Sequence, residues 1–244
     1  MTRLLRAELL KLATTRLLLW LGLLIVGFEV LVISLQVGHD SLESLAQPSS
    51  QRDTVSIAAV SALAALILGI VASAGEFTHG TISHTLLVAP VRMRVAGAKL
   101  AASALAGASL ALASAAFAWV FAALLLKARS VPVHVFSGEA LRLVLGMVVA
   151  SALTGALGVG FGLLLRRQTA AIVVALLWLL VGEPLIAIAG VQRYAPGHAI
   201  ASVVEAGHQG PDLLGFGKGL LVALVYVVVA AVLGAIALRQ SDVA

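Results

Sequence analysis

A chain of 244 residues that is 61% hydrophobic and 11% charged, with a mean hydropathy of +1.10, does not have the composition of a soluble domain, which is about half apolar and about a quarter charged. It is that of an integral membrane protein. The absence of cysteine excludes disulfides, thiolate metal sites and cysteine nucleophiles. The net charge of +5 fits Lys and Arg gathered in cytoplasmic loops and against anionic head groups, and no basic, aromatic-bearing domain points to nucleic acid.

Residues 1–16, "MTRLLRAELLKLATTR", place Leu5, Leu9 and Leu12 on one side of a helix and Arg3, Arg6, Lys11 and Thr14 on the other. This pattern predicts an amphipathic helix lying on the cytoplasmic leaflet. A cleavable signal peptide would share the basic start and could use Ser44–Ala46, but the apolar run that follows exceeds the 7–15 residues of such a signal. A spanning helix needs about 20 mostly apolar residues. Six stretches meet that need: Leu17–Val37, Val55–Ala74, Leu100–Leu126, Leu141–Leu165, Thr169–Ala189 and Gly219–Leu238. The predicted fold is therefore all-α, a single membrane domain over 1–244. With a cytoplasmic N-terminus, ten of the 16 Lys and Arg residues fall inside and six outside, and both ends lie in the cytoplasm. Small residues crowd the third and fourth spans (Ala101, Ala102, Ala104, Ala106, Gly107, Ala108; Gly155, Gly158, Gly160, Gly162), as close helix packing requires. The outer loop 190–218 holds an apolar patch, Ala199–Val204, too short to span, which predicts a short external or re-entrant helix.

The segment "GEFTHGTISHTLLVAPVRMRVAGAK", residues 75–99, interrupts this greasy chain. Glu76 enters the aqueous boundary and Gly80 breaks the helix. Thr81 is placed to cap a new helix over Ile82–Ala89 with its hydroxyl, and Pro90 stops it. Arg92, Arg94 and Lys99 mark the return to the membrane. The expected product is a two-turn cytoplasmic helix that presents Leu86 and Leu87 to a protein partner, with His79 and His84 on its surface.

This segment resembles the acidic–Gly-Thr–Leu-Leu–Pro–Arg–Lys signature of type-two ABC exporter permeases. The order of parts along the chain is similar too: an elbow helix, six spans, a coupling helix after the second span and short extracellular helices before the sixth. The resemblance implies a permease subunit in the cell membrane that works as a dimer, with itself or a related permease, and binds two separate ATPase subunits. It also implies that the elbow helix and the first and fifth spans form the subunit interface and path. By resemblance, Gly80, Thr81, Ile82, Leu86, Leu87, Pro90 and Arg92 form the ATPase-coupling element, with Glu76 beside them. The family often has Arg near the position of His79, so this chain departs from the pattern there. ATP and Mg would be held by the partner. The one Gly-Lys pair, Gly217–Lys218, is followed by Gly219 and has Asp212 where a phosphate loop needs its first glycine.

Two acids lie within apolar spans, Glu29 and Glu183, roughly 18 and 21 Å from the cytoplasmic ends at about 1.5 Å per residue. Such residues border a path or bond to neighbouring helices. Pairing with Arg52 or Arg193 is one form of the second reading. Pro184 is expected to kink the fifth span beside Glu183. Glu76 and His79 have a spacing used in carboxylate metal sites, though no further ligand is evident. His39, His134, His198 and His208 are expected as scattered solvated residues. Two rival classes stay open: an intramembrane enzyme using Glu29, Glu183 or the Glu76–His79 pair, and a non-transporting assembly or sensor protein that recruits an ATPase.

Overall fold

Backbone polar groups inside a bilayer have no water to bond, so long apolar runs fold as helices. The computed structural model describes residues 2–134, 138–188, 190–205 and 213–240, and these are helical almost throughout, with no strand among them. In chain order the helices are α1 (Thr2–Thr14), α2 (Arg16–His39), the short α3 (Leu42–Leu45) and α4 (Pro48–Ser56), α5 (Val60–Thr78), α6 (Ile82–Val88), α7 (Arg92–Ala128), α8 (Gly138–Leu165), α9 (Gln168–Leu177), α10 (Glu183–Ile188), α11 (Pro196–Val204) and α12 (Phe216–Arg239). Six helical stretches are long and apolar enough to cross a membrane: Arg16–His39, Pro48–Thr78, Arg92–Ala128, Gly138–Leu165, Gln168–Ile188 and Phe216–Arg239. Each contains or closely matches one of the six expected spans. Ala189, His208 and Asp212 lie outside the described residues.

Burial separates an inner set of spans from an outer one. The most apolar windows of the second and fourth spans are each 56% buried, against 22%, 17% and 22% for the first, fifth and sixth. Helices α5, α7 and α8 pack on one another, α2 lies against α7 and α5, α9 against α5 and α8, and α12 against α8. The outer helices α2, α9 and α12 consequently leave leucines such as Leu31, Leu177 and Leu221 exposed, as suits a surface bathed in lipid.

Close contacts of α8 with α5, α7 and α12 explain the glycines of the fourth span. At Gly158 an added Cβ would overlap the carbonyl of Leu66 and lie 3.0 Å from the amide of Ile70; at Gly155 it would meet the carbonyl of Ser103 on α7. The helices touch through peptide groups, which the absent side chains permit.

Near Pro184 the fifth span is irregular. A π turn, Trp178–Gly182, separates α9 from α10. The wider turn accommodates a residue that cannot complete the regular ladder, so the expected disturbance takes the form of a local π bulge. Helix α11 contains the Ala199–Val204 patch, with Ala199 and Val203 buried against its packing partners α8 and α12. At the same end of the bundle Arg52 of α4 makes an ion pair with Glu205, 2.7 Å away.

Candidate functional site

The end of the bundle that carries α1 and α6 is built around the loop between α5 and α7. Helix α5 stops because Gly80 takes up a left-handed φ of +68°. The amide of Thr81 then donates to Glu76 O (2.9 Å) and that of Gly80 to Phe77 O (3.3 Å). These two bonds form a Schellman motif, with glycine where a side chain would be strained. The next helix is Ile82–Val88, one residue shorter than expected. Ala89 closes it and Pro90 follows. The expected Thr81 cap is absent: its backbone is already αR and its hydroxyl makes no cap bond, because a side-chain cap needs an extended residue at that point.

The two faces of α6 differ. Ile82 is buried (4% exposed), and Leu86 packs with Phe77 and Leu100 against a cluster of Ile82, Ala96, Val159, Leu163, Ala235 and Leu238. Leu87 and Val88 are 80% and 88% exposed. This corrects the expected docking pair. Ile82 and Leu86, one helical turn apart, face inward, and the outward pair is Leu87–Val88. Arg92 also points into the protein. Its guanidinium donates to Leu238 O (2.9 Å) and Arg239 O (2.8 Å), satisfying open carbonyls at the end of α12.

Glu76 is the foot of an ion network that links α1, α5 and α7. Lys99 is 1% exposed. Its Nζ lies 2.7 Å from Glu76 Oε1 and 2.9 Å from Glu8 Oε2, and it donates to Ala72 O at 3.2 Å. Lys11 Nζ reaches Glu8 Oε1 and Glu76 Oε1, both at 2.9 Å, and Thr85 Oγ1 of α6 at 3.4 Å. Two carboxylates and two ammonium groups cancel, and Lys99 fills its three donor positions, as a buried charge requires. Burial works against the charge on Lys11, but hydrogen bonds and charges from Glu8 and Glu76 outweigh it and raise its pKa above the ordinary lysine value. The sign follows from linkage: this contribution is fully present below the unfolded-state value of about 10.4 and is lost as pH climbs through the folded-state value. Alkaline titration above that range should therefore weaken the hold on α1. Faster amide exchange in residues 2–14, appearing before exchange in α5 or α8, is the expected reading.

The other titratable candidates do not converge. His79 does not pair with Glu76: its Nδ1 lies 2.8 Å from Gly75 O, while Glu76 faces the lysines. His79 and His84 are exposed, as expected. Glu29 is completely buried; Ser114 Oγ on α7 donates to it and also lies 3.1 Å from Ala58 O. Glu183 accepts from the amide of Gly197 in the first turn of α11 and lies 3.2 Å from His198 Nδ1. Both acids thus bond to neighbouring helices. Neither pairs with Arg52, whose partners are Glu205 and Asp53, and His198 is a carboxylate partner rather than a solvated surface residue.

Glu8 and Lys99 are the residues that sequence reasoning missed as a pair. They lie 91 positions apart, so no local pattern joins them. Only the lone acid in a basic amphipathic helix hints at a partner. No model of a known protein family matches the chain, and no curated protein matches it either.

Proposed function

We propose that the chain is the membrane-spanning permease subunit of an ATP-driven exporter, coupled to a separate ATPase through α6. The observation that carries this reading is the Leu87–Val88 tip. Two large apolar side chains are almost fully exposed on a short helix between two spans, outside the apolar stretches, where lipid tails would not cover them. An apolar tip of this kind suits a groove on a soluble partner. The resemblance of residues 75–99 to type-two ABC exporter permeases supplies the class of partner. In this reading α1 is the elbow helix, the α6 end is cytoplasmic, and two copies of the permease, or two related permeases, bind two ATPase subunits that hold ATP and Mg. Closure of the ATPases pushes α6, and the push enters the bundle through Ile82, Leu86 and the Glu76–Lys99 contact. The intramembrane-enzyme reading draws less support, because Glu29, Glu183 and Glu76 each bond to a different set of groups.

The test is whether a soluble ABC ATPase is encoded beside this chain and co-purifies with it. Leu87→Asp combined with Val88→Asp should abolish co-purification and substrate-stimulated ATP hydrolysis, while leaving the permease monodisperse with unchanged Tm. Those side chains are already in water, so their replacement costs the fold within about 0.5 kcal/mol. Undiminished co-purification of the double variant sinks the coupling role of α6.

A further inference from the structure

Beside the tip of α6 lies a second feature of this end, a groove of about 400 Å³ between α1 and the α6–α7 junction. It is lined by Arg3, Leu4 and Ala7 on one side and by Val88, Ala89, Pro90, Val91 and Arg94 on the other. Its size is in the range of small-molecule sites. Its chemistry is split: two guanidinium groups stand at a wall that is otherwise apolar.

Arg3 and Arg94 are both exposed. The one acid of α1, Glu8, is already held by Lys11 and Lys99. Arg92, two residues before Arg94, is turned away to the end of α12. The groove therefore offers two positive charges that no carboxylate within α1 or α6 neutralises.

The depth of the groove identifies what meets it. Only Thr15, in extended backbone, separates α1 from the membrane-crossing α2, so α1 lies where that span leaves the bilayer. Helix α7 is 37 residues long and at about 1.5 Å per residue far exceeds the ~30 Å hydrocarbon layer. Its apolar run starts after Lys99, which puts Arg94 roughly 8 Å below that boundary, the level of the headgroup layer. An occupant at this level with a negative group for the arginines, and a glycerol end that rests on Leu4 and Val91 and leaves the tip of α6 free, is the headgroup of a lipid of the adjoining leaflet.

We propose that this groove binds an anionic phospholipid, its headgroup phosphate held between Arg3 and Arg94. Guanidinium groups bond phosphate oxygens bidentately. Charge attraction by one basic residue near an anionic leaflet is about 1 kcal/mol, roughly fivefold in affinity. The inference rests on the six spans and the groove, and does not depend on the exporter reading.

Native mass spectrometry of the purified full chain in detergent, titrated with phosphatidylglycerol or phosphatidylcholine, tests it. Phosphatidylglycerol should be retained in preference to phosphatidylcholine. Arg3→Gln and Arg94→Gln should each weaken that retention about fivefold, whereas Arg6→Gln and Arg167→Gln, which remove the same charge elsewhere on this end, should leave it nearly unchanged. Inorganic phosphate in large excess should not displace the lipid. Equal loss in all four variants means diffuse attraction to basic residues and overturns the site. Displacement by inorganic phosphate assigns the groove to a free anion and overturns the lipid.

Discussion

Replacing Lys99 with methionine should destabilise the protein by about 3–5 kcal/mol, the range for removing one member of a buried ion pair. Methionine nearly matches the side chain in length and fills its space. It cannot compensate the two carboxylates, Glu8 and Glu76, that approach Lys99 at 2.9 and 2.7 Å, and Lys11 alone would face both. The decisive comparison is the double variant Lys99→Met with Glu8→Leu. It removes one charge of each sign and leaves the Lys11–Glu76 pair (2.9 Å) intact, so it should recover most of the loss. Thermal unfolding of the purified variants reads both values. Equal destabilisation in single and double variants would mean that Lys99 contributes through packing, and would end the electrostatic account of the network.

Gly158→Leu should largely abolish the folded state, and Gly158→Ala should already cost about 1–3 kcal/mol, the range for overpacking a filled core. The obstacle is the backbone of α5, with Ile70 N only 3.0 Å and the carbonyl carbon of Leu66 3.1 Å from an added Cβ; a backbone cannot turn aside as a flexible side chain can. Gly22→Ala is the matching control. That position on α2 has nothing within 4 Å of an added Cβ, so alanine there should be neutral or stabilising by helix propensity. Fluorescence-detected size-exclusion melting of the three variants separates the cases. A Gly158→Leu protein that melts like the parent would show that α5 and α8 need no such closeness.

The spans are legible in the sequence because hydropathy is a sum over some twenty residues and tolerates local detail. The ends of α6 are legible as well, since Gly80 and Pro90 act through their own backbone chemistry, whatever the rest of the fold does. Lys99 looks like a boundary marker, because a lysine following Arg92 and Arg94 before an apolar run has the form of a flank. Its role depends on Glu8 and Glu76, which tertiary packing alone brings to it. Leu86 and Leu87 look like a docking pair, yet the sequence carries a signal against it: Ile82 and Leu86 are four apart and share a face, whereas Leu87 turns onto the next. Thr81 as a side-chain cap fails for a different reason. The Schellman closure of α5 sets its backbone in a conformation from which no cap can form.

The glycine contact between α5 and α8 has a mechanical meaning. Side-chain interfaces can shift by exchanging rotamers, but a seam made of peptide groups has none to exchange and holds one register. Helices α5 and α8 therefore act as a single strut. Helix α6 hangs from the foot of that strut, so force applied at Leu87 and Val88 loads it as a whole. Helix α12 joins it through Gly160 and Gly234, whose added Cβ atoms would meet the partner backbone, so the parts left free to shift are α2 and α9, whose apolar windows are only 22% and 17% buried.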